Sequence, residues 1–201
     1  MGWGDENPKL RSVDECIALL RLKNQTFWDV LGFGDFGVAE VPEELKSAVP
    51  TAQGGWVQLD EDLVKRVDLN ALRWVGYACL RDATGVITKQ RETWLQEHDA
   101  LPSVAYAGPL PPWQEMVEIK YGLSPDHWGK GYASEIASFL HAWGIAAHGV
   151  RRYIGGTLKT NAGSRRVLQK TGFVSNPERL WVDSDHVEFG DEWMYTVPST
   201  S

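Results

Sequence analysis

The chain has few cysteines, no long apolar segment and no signal for secretion. Its 201 residues include only Cys16 and Cys79, and two cysteines without a motif indicate neither a disulfide framework nor a zinc site. A reduced compartment follows, and we expect a cytoplasmic protein, with a nuclear one as the alternative. No apolar run approaches the roughly 20 residues of a membrane span. Residues 1–6 lack the basic and apolar regions of a signal peptide, so we expect no membrane partner.

Basic residues are also too few for general binding of nucleic acid. Lys and Arg number 20 against 27 Asp and Glu, which makes the formal net charge −7, whereas nucleic acid requires a basic surface. We therefore expect no nucleic-acid partner. An acidic protein can attract a cationic substrate such as an amine, or its charge can simply aid solubility. The five histidines are not spaced as metal ligands, so we predict no metal.

What the sequence does contain is an alternation of strand and helix patterns. The length predicts a single domain over residues 1–201, in which the proline-rich residues 82–114 form an insertion or loop. Ser12 and Glu15 form a capping box before the first helix. Apolar spacing predicts helices over 12–23, 88–98, 132–148 and 161–170, and strands over 73–80, 115–123, 151–157, 173–175, 179–183, 186–189 and 192–197. This order favours an α/β or α+β fold with one mixed sheet.

The most informative segment joins a strand to the longest predicted helix. The apolar strand Val117–Leu123 is broken by residues 124–127, and the glycine-containing residues 128–134 then open the helix. Backbone N–H groups in the first turn of a helix have no partner inside the helix, and the helix dipole adds about half a positive charge there. Phosphate is the natural occupant of such a place. The segment therefore predicts a site for a phosphorylated cofactor.

Two familiar nucleotide motifs fit this segment poorly. Residues 129–134 match G-x-G-x-x-G only in part, since Ser134 stands at the last glycine and no acidic residue follows in residues 151–156. A nicotinamide-dependent oxidoreductase is therefore a minor alternative. The Walker sequence is absent.

Motif A of the GNAT superfamily of N-acetyltransferases, [QR]-x-x-G-x-[GA], resembles this segment more closely. Trp128 takes the first position, which is a departure, Gly131 the central glycine and Ala133 the last. The whole stretch looks like the ribosomal-protein N-terminal acetyltransferase (RimJ/RimL-type) branch. That branch has Tyr and Pro before the loop, Asn-x-x-Ser after the next strand and Gly-Phe after the following helix. Here these elements are Tyr121 and Pro125, Asn161 and Ser164, and Gly172 and Phe173.

The resemblance implies a fold, a cosubstrate and a reaction. The fold is a mixed, mainly antiparallel sheet with a central splayed pair of parallel strands, flanked by helices. The reaction is acetyl transfer from acetyl-CoA to a primary amine, on a protein N-terminus or a small molecule, by direct attack in a ternary complex. The residues expected to hold acetyl-CoA are Leu123, Ser124, Trp128, Gly129, Lys130, Gly131, Tyr132, Ala133, Ser134 and Asn161.

Three side chains are candidates for the chemistry that the resemblance implies. Glu118 is the candidate general base for the amine, directly or through a water, although it could instead be a strand carboxylate that faces solvent or pairs with a lysine. Ser164 is the candidate that protonates the leaving thiolate, with Tyr195 as the alternative. Ser164 could instead only bond the helix backbone, and Asn161 could only cap that helix. A backbone N–H near Leu123 is expected to stabilise the oxyanion.

One departure from the family concerns the start of the sequence. A first strand and helix normally precede a segment resembling residues 1–4, with which this sequence begins. We expect these two elements to be missing or replaced. Because that helix often supplies part of the acceptor site, a non-catalytic CoA-binding or interaction module is the alternative function. A second subunit could supply a missing edge strand, so a homodimer is the alternative to a monomer.

Overall fold

The computed structural model describes residues 12–46, 61–65, 67–83, 112–176 and 190–198. The chain divides into two compact units. The described parts of residues 1–79 form the first together with residues 121–132, and the described parts of residues 80–120 and 133–201 form the second. Within the described ranges no helix is long and apolar enough to cross a membrane.

The first unit begins with a helix that the capping box starts. Ser12 accepts a hydrogen bond from the backbone N–H of Glu15, and the Glu15 carboxylate accepts one from the N–H of Ser12 at 2.7 Å. The helix continues into a π-helical turn and ends near Gly32, whose φ is 73°. The elements that lie wholly in this unit are α1 (Val13–Lys23), the π-helix Asn24–Trp28, α2 (Asp29–Leu31), β1 (Asp35–Ala39), the 3₁₀ turns Glu43–Leu45 and Pro125–His127, and α3 (Glu61–Val64).

The second unit carries the long helix and the last strands. Its longest helix buries an apolar stripe that includes Ile136, Ala137 and Leu140, and burying a side chain of Leu size stabilises a fold by about 2 kcal/mol. Its elements are the 3₁₀ turn Trp113–Glu115, α4 (Tyr132–His148, from Ala133 onward), β4 (Arg152–Leu158), α5 (Ala162–Lys170), β5 (Val174–Ser175) and β6 (Gly190–Thr196). Two further strands, β2 (Trp74–Asp82) and β3 (Val117–Leu123), run from one unit into the other.

All six strands belong to one sheet, in the order β1-β2-β3-β4-β6-β5. β1 pairs antiparallel with β2, and β6 pairs antiparallel with both β4 and β5. β3 and β4 are parallel, with Val117 opposite Tyr153 and Glu118 opposite Ile154. This register ends at Glu118, although Ile119 and Lys120 continue β3. The mixed, mainly antiparallel sheet with one splayed parallel pair and flanking helices confirms the predicted fold class.

Most predicted elements within the described residues are confirmed. α4 has the predicted bounds, and Gly149 follows it with a φ of 64°, as a helix-ending glycine should. β3 begins two residues later than predicted, because the 3₁₀ turn Trp113–Glu115 occupies the segment before it. The helix predicted at 88–98 and the strands at 179–183 and 186–189 lie outside the described residues, as does most of the loop at 82–114. The extent of the domain stays a prediction.

Candidate functional site

The loop between β3 and α4 ends in the four residues Trp128–Gly131, which we call the cradle loop. Gly129 and Gly131 have φ values of 76° and 91°, a region that side chains with a Cβ rarely adopt. A Cβ built on either glycine would meet nothing within 4 Å. The glycines are therefore required by backbone conformation, and the space beside them is open to a ligand.

Several backbone donors lie in the same segment. Within the described part of the chain, the N–H groups of Gly129, Lys130 and Gly131 donate no hydrogen bond to another backbone group or side chain. Ala133 and Ser134 lie in the first turn of α4, where N–H groups lack partners inside the helix. The helix dipole adds positive potential to the same place.

Ser124 and Trp128, which precede these glycines in the chain, use their backbone N–H groups in other ways. The Trp128 N–H donates to the Pro125 carbonyl at 3.1 Å, so the free donors begin at Gly129. The Ser124 N–H donates to the Val75 carbonyl at 2.9 Å, which leaves its hydroxyl as the group that can contact a ligand. Trp128 as a residue is 59% exposed, and its indole N–H donates to the Leu123 carbonyl at 3.0 Å. Trp128 therefore ties the end of β3 to the start of the loop.

Glu118 is buried and paired with two cations. Only 2% of the residue is exposed. One carboxylate oxygen accepts from the Nε of Arg81, and the other lies 3.4 Å from the Lys120 ammonium. An amine or a water that used Glu118 as a base would have to share an oxygen with one of these cations. The predicted alternative of a carboxylate paired with a lysine is therefore present, and the catalytic role stays a prediction.

Asn161 and Ser164 meet at the start of α5. The Asn161 side-chain oxygen accepts from the Ser164 N–H at 3.0 Å, so Asn161 caps the helix as predicted. The Ser164 side chain is half-buried in the first turn. The cap fixes the backbone that carries this hydroxyl, which any role of Ser164 in proton transfer requires.

Tyr195 belongs to an aromatic cluster around a buried histidine. Its ring stacks on His141 with centroids 4.8 Å apart, and the rings of Tyr153 and Phe173 lie 4.8 and 4.9 Å from His141. Burial lowers the pKa of His141 to about 4, and within the described ranges the Nε2 of this ring has no hydrogen-bond partner. Burial, with a smaller contribution from Tyr195, raises the pKa of Tyr153. The cluster explains Tyr195 as a packing residue.

The predicted site residues are thus divided between the units. Glu118, Asn161, Ser164 and Tyr195 lie in the second unit. The residues from Leu123 to Tyr132 lie in the first, and Ala133 and Ser134 continue α4 in the second. Within the described residues, no group of three or more His, Cys, Asp or Glu side chains could hold a metal ion.

Sequence reasoning missed one residue beside the loop. Glu40, directly after β1, accepts a hydrogen bond from the Tyr132 hydroxyl at 3.0 Å and lies 3.8 Å from the Nδ1 of His127. The sequence carries no signal for this cluster, because Glu40 and Tyr132 are 92 residues apart. Arg81 was missed for the same reason, since 37 residues separate it from Glu118.

Comparison with known proteins places this arrangement in a family. The model of the acetyltransferase (GNAT) domain matches residues 65–174, which is more than half of the chain. The chain therefore belongs to the GNAT acetyltransferase family. An uncharacterised N-acetyltransferase of Bacillus subtilis (strain 168), YoaA, is 39% identical over 56 residues, which cover 28% of this chain and 32% of that relative.

Two solved structures align with most of this chain, and the first has a similar fold. A GNAT-family acetyltransferase of Bordetella pertussis is 15% identical with a TM-score of 0.50, covering 94% of this chain and 81% of that one. An acetyltransferase of Agrobacterium tumefaciens str. C58 is 15% identical with a TM-score of 0.49, covering 93% of this chain and 74% of that one. These likenesses concern the fold alone.

Proposed function

We propose that the protein is an acetyl-CoA-dependent N-acetyltransferase that acetylates a primary amine on a protein N-terminus or a small molecule, in the cytoplasm. One observation carries this proposal: Gly129 and Gly131, directly before the start of α4, have positive φ, open space beside them and N–H groups without an acceptor in the described part of the chain. In a GNAT chain, the donor set suits the diphosphate of coenzyme A. The ribosomal-protein branch remains the proposed subfamily.

The residues divide the work of holding acetyl-CoA. The N–H groups of residues 129–131 and of the first turn of α4 would receive the diphosphate, and the exposed Lys130 would add positive charge. The Ser124 hydroxyl and the Asn161 side-chain N–H₂ would contact the pantetheine arm. Bound acetyl-CoA supplies a thioester, whose carbonyl an amine can attack. An N–H near Leu123 would stabilise the negative charge that develops on the thioester oxygen.

Two proton transfers accompany the acyl transfer. An α-amine has a pKa near 8 and a lysine amine has a pKa near 10.4. A lysine amine is therefore more fully protonated near neutral pH and needs a base more than an α-amine does. Glu118 is the proposed base, and a water beside its carboxylate would have to compete with Lys120. The Ser164 hydroxyl is the proposed proton donor to the leaving thiolate. Tyr195 is the less favoured candidate for this role, because its ring is packed against His141.

The ion pairs of Glu118 favour one alternative function. If both carboxylate oxygens stay engaged by Arg81 and Lys120, the site binds acetyl-CoA without turning it over. The protein would then be a CoA-binding or interaction module. Release of free thiol from acetyl-CoA, measured over a panel of amines and peptide N-termini, separates the two functions.

The test of acetyl-CoA binding uses two matched glycine variants. Gly131→Glu places a side chain and a negative charge in the cradle and should abolish binding measured by calorimetry. Gly149→Glu is the control, because Gly149 also has positive φ and open space but lies at the other end of α4. Wild-type protein and Gly149→Glu should bind, and binding should raise the melting temperature. Equal affinity of Gly131→Glu and wild type would refute the assignment of the cradle.

A further inference from the structure

We infer that Glu40 is a positioning residue that joins the two ends of the cradle loop, Trp128–Gly131, and so holds its N–H groups in place for the diphosphate. This inference rests on the proposed function. Glu40 lies outside the loop and outside the matched family segment of residues 65–174. Among the described residues no hydrogen bond joins Glu40 to the backbone of the loop, and Glu40 acts through the two residues that flank the loop.

The C-terminal flank is fixed by a hydrogen bond. Tyr132 is the first residue of α4, directly after Gly131. Its hydroxyl donates to the Oε1 of Glu40 at 3.0 Å, and the contact is partly buried. A hydrogen bond to a charged acceptor is stronger than one between neutral groups. The end of the loop is therefore anchored to the residue after β1.

The N-terminal flank faces the same carboxylate oxygen. His127 ends the 3₁₀ turn before Trp128 and is 5% exposed. Its Nδ1 lies 3.8 Å from the Oε1 of Glu40 and has no hydrogen-bond partner among the residues that the structure describes. The rings of His127 and Tyr132 are 6.0 Å apart. One carboxylate oxygen of Glu40 thus accepts a hydrogen bond from Tyr132 at one flank of the loop and lies within 4 Å of the buried His127 imidazole at the other, without a hydrogen bond to it.

Glu40 is itself held rigidly. Its backbone N–H donates to the Arg73 carbonyl at 3.0 Å, and its second oxygen, Oε2, lies 3.3 Å from the Arg73 guanidinium. Arg73 is largely exposed, so this ion pair contributes little energy, but it occupies the oxygen that the loop does not use. A loop whose two ends are fixed loses less conformational entropy when its N–H groups close on a ligand.

The experiment measures acetyl-CoA affinity in a small series of variants. Tyr132→Phe removes only the hydroxyl, and Glu40→Ala removes the carboxylate. Each should raise the Kd for acetyl-CoA roughly tenfold, which corresponds to the lower end of the energy of such a hydrogen bond. The double variant should bind no more weakly than Glu40→Ala alone. Glu40→Gln keeps an oxygen acceptor for Tyr132 and should recover most of the affinity.

A second donor separates positioning from a merely structural role. Acetylpantetheine has the thioester but no diphosphate, and its Kd, followed by ligand-observed NMR, should be the same in wild type, Tyr132→Phe and Glu40→Ala. Glu43→Ala is the control, because Glu43 is exposed and its described ion pair is with Lys46. It should leave both affinities unchanged.

The outcomes are distinguishable. If wild-type protein binds no acetyl-CoA, the proposed function fails and the inference fails with it. If wild type binds but Tyr132→Phe and Glu40→Ala bind equally well, the inference alone is overturned. An equal loss of affinity for acetyl-CoA and acetylpantetheine would also overturn it, because it would show a general disturbance of the fold. Tyr132→Phe keeps the inference testable should Glu40→Ala fail to fold.

Discussion

Replacing His141 should remove a pH-dependent part of the free energy of unfolding. His141 is buried among the rings of Tyr153, Phe173 and Tyr195, and burial lowers its pKa from 6.5 to about 4. The folded state therefore favours the neutral ring. Its contribution to stability is complete above pH 6.5 and is lost as the pH falls from there through 4.

The magnitude follows from the two pKa values. Each pKa unit corresponds to about 1.36 kcal/mol, so the loss below pH 4 should approach about 3 kcal/mol. At pH 5 the unfolded chain already binds most of its proton at this position while the folded chain does not. The loss there, relative to pH 7, should be about 2 kcal/mol.

Urea denaturation at several pH values between 7 and 4.5 measures this effect. His141→Phe keeps an aromatic ring in the cluster but cannot titrate, so its stability should fall less steeply with acid than that of wild type, by about 2 kcal/mol between pH 7 and 5. His141→Leu is a second variant should the larger ring not fit. Tyr153→Phe is the control: it removes the hydroxyl that donates to the His141 carbonyl at 3.0 Å and should lower stability equally at each pH. Parallel pH profiles for wild type and His141→Phe would refute the reasoning.

Two further predictions concern packing and chemistry. Gly76→Ala should lower the free energy of unfolding by at least about 2 kcal/mol, because its Cβ would overlap the Gly122 carbonyl oxygen and lie 2.9 Å from the Leu123 Cα. A Cβ at Gly156 would meet nothing within 4 Å. The free energy of unfolding of Gly156→Ala, measured by urea denaturation, should therefore stay within about 1 kcal/mol of the wild-type value. Ser164→Ala and Glu118→Gln should each lower kcat roughly 100-fold with little change in the Kd for acetyl-CoA, and unchanged turnover would remove either residue from the mechanism.

The sequence predicts elements well where local signals bracket them. α4 lies between Gly131 and Gly149, both of which have positive φ, and its apolar stripe is regular. The start of α1 follows from the reciprocal bonds of Ser12 and Glu15. The glycine-containing turn before α4 was also predictable, because it is a local feature made of consecutive residues; its role in binding phosphate stays a prediction.

Contacts between distant residues were not predictable in the same way. The sequence names Glu118 as a strand carboxylate but does not indicate that Arg81 reaches it from β2. His141 looks like an ordinary helix residue, and its environment comes from β4, β6 and Phe173. Glu40 has no motif of its own, because its partners are defined only once β1 and the start of α4 are folded. Such pairings depend on tertiary structure, whereas periodicity and capping signals carry information only about local structure.

The charged trio of Arg81, Glu118 and Lys120 has a consequence for protein engineering. Their side chains are 19%, 3% and 26% exposed, and replacing buried ion pairs by well-packed apolar residues is often neutral or stabilising. Selection for thermal stability alone would therefore tend to replace this trio, whereas loss of Glu118 alone would remove the carboxylate that both Arg81 and Lys120 contact. To raise thermal stability, all three residues should be replaced together by apolar residues. Any chemistry that depends on the Glu118 carboxylate would then be lost.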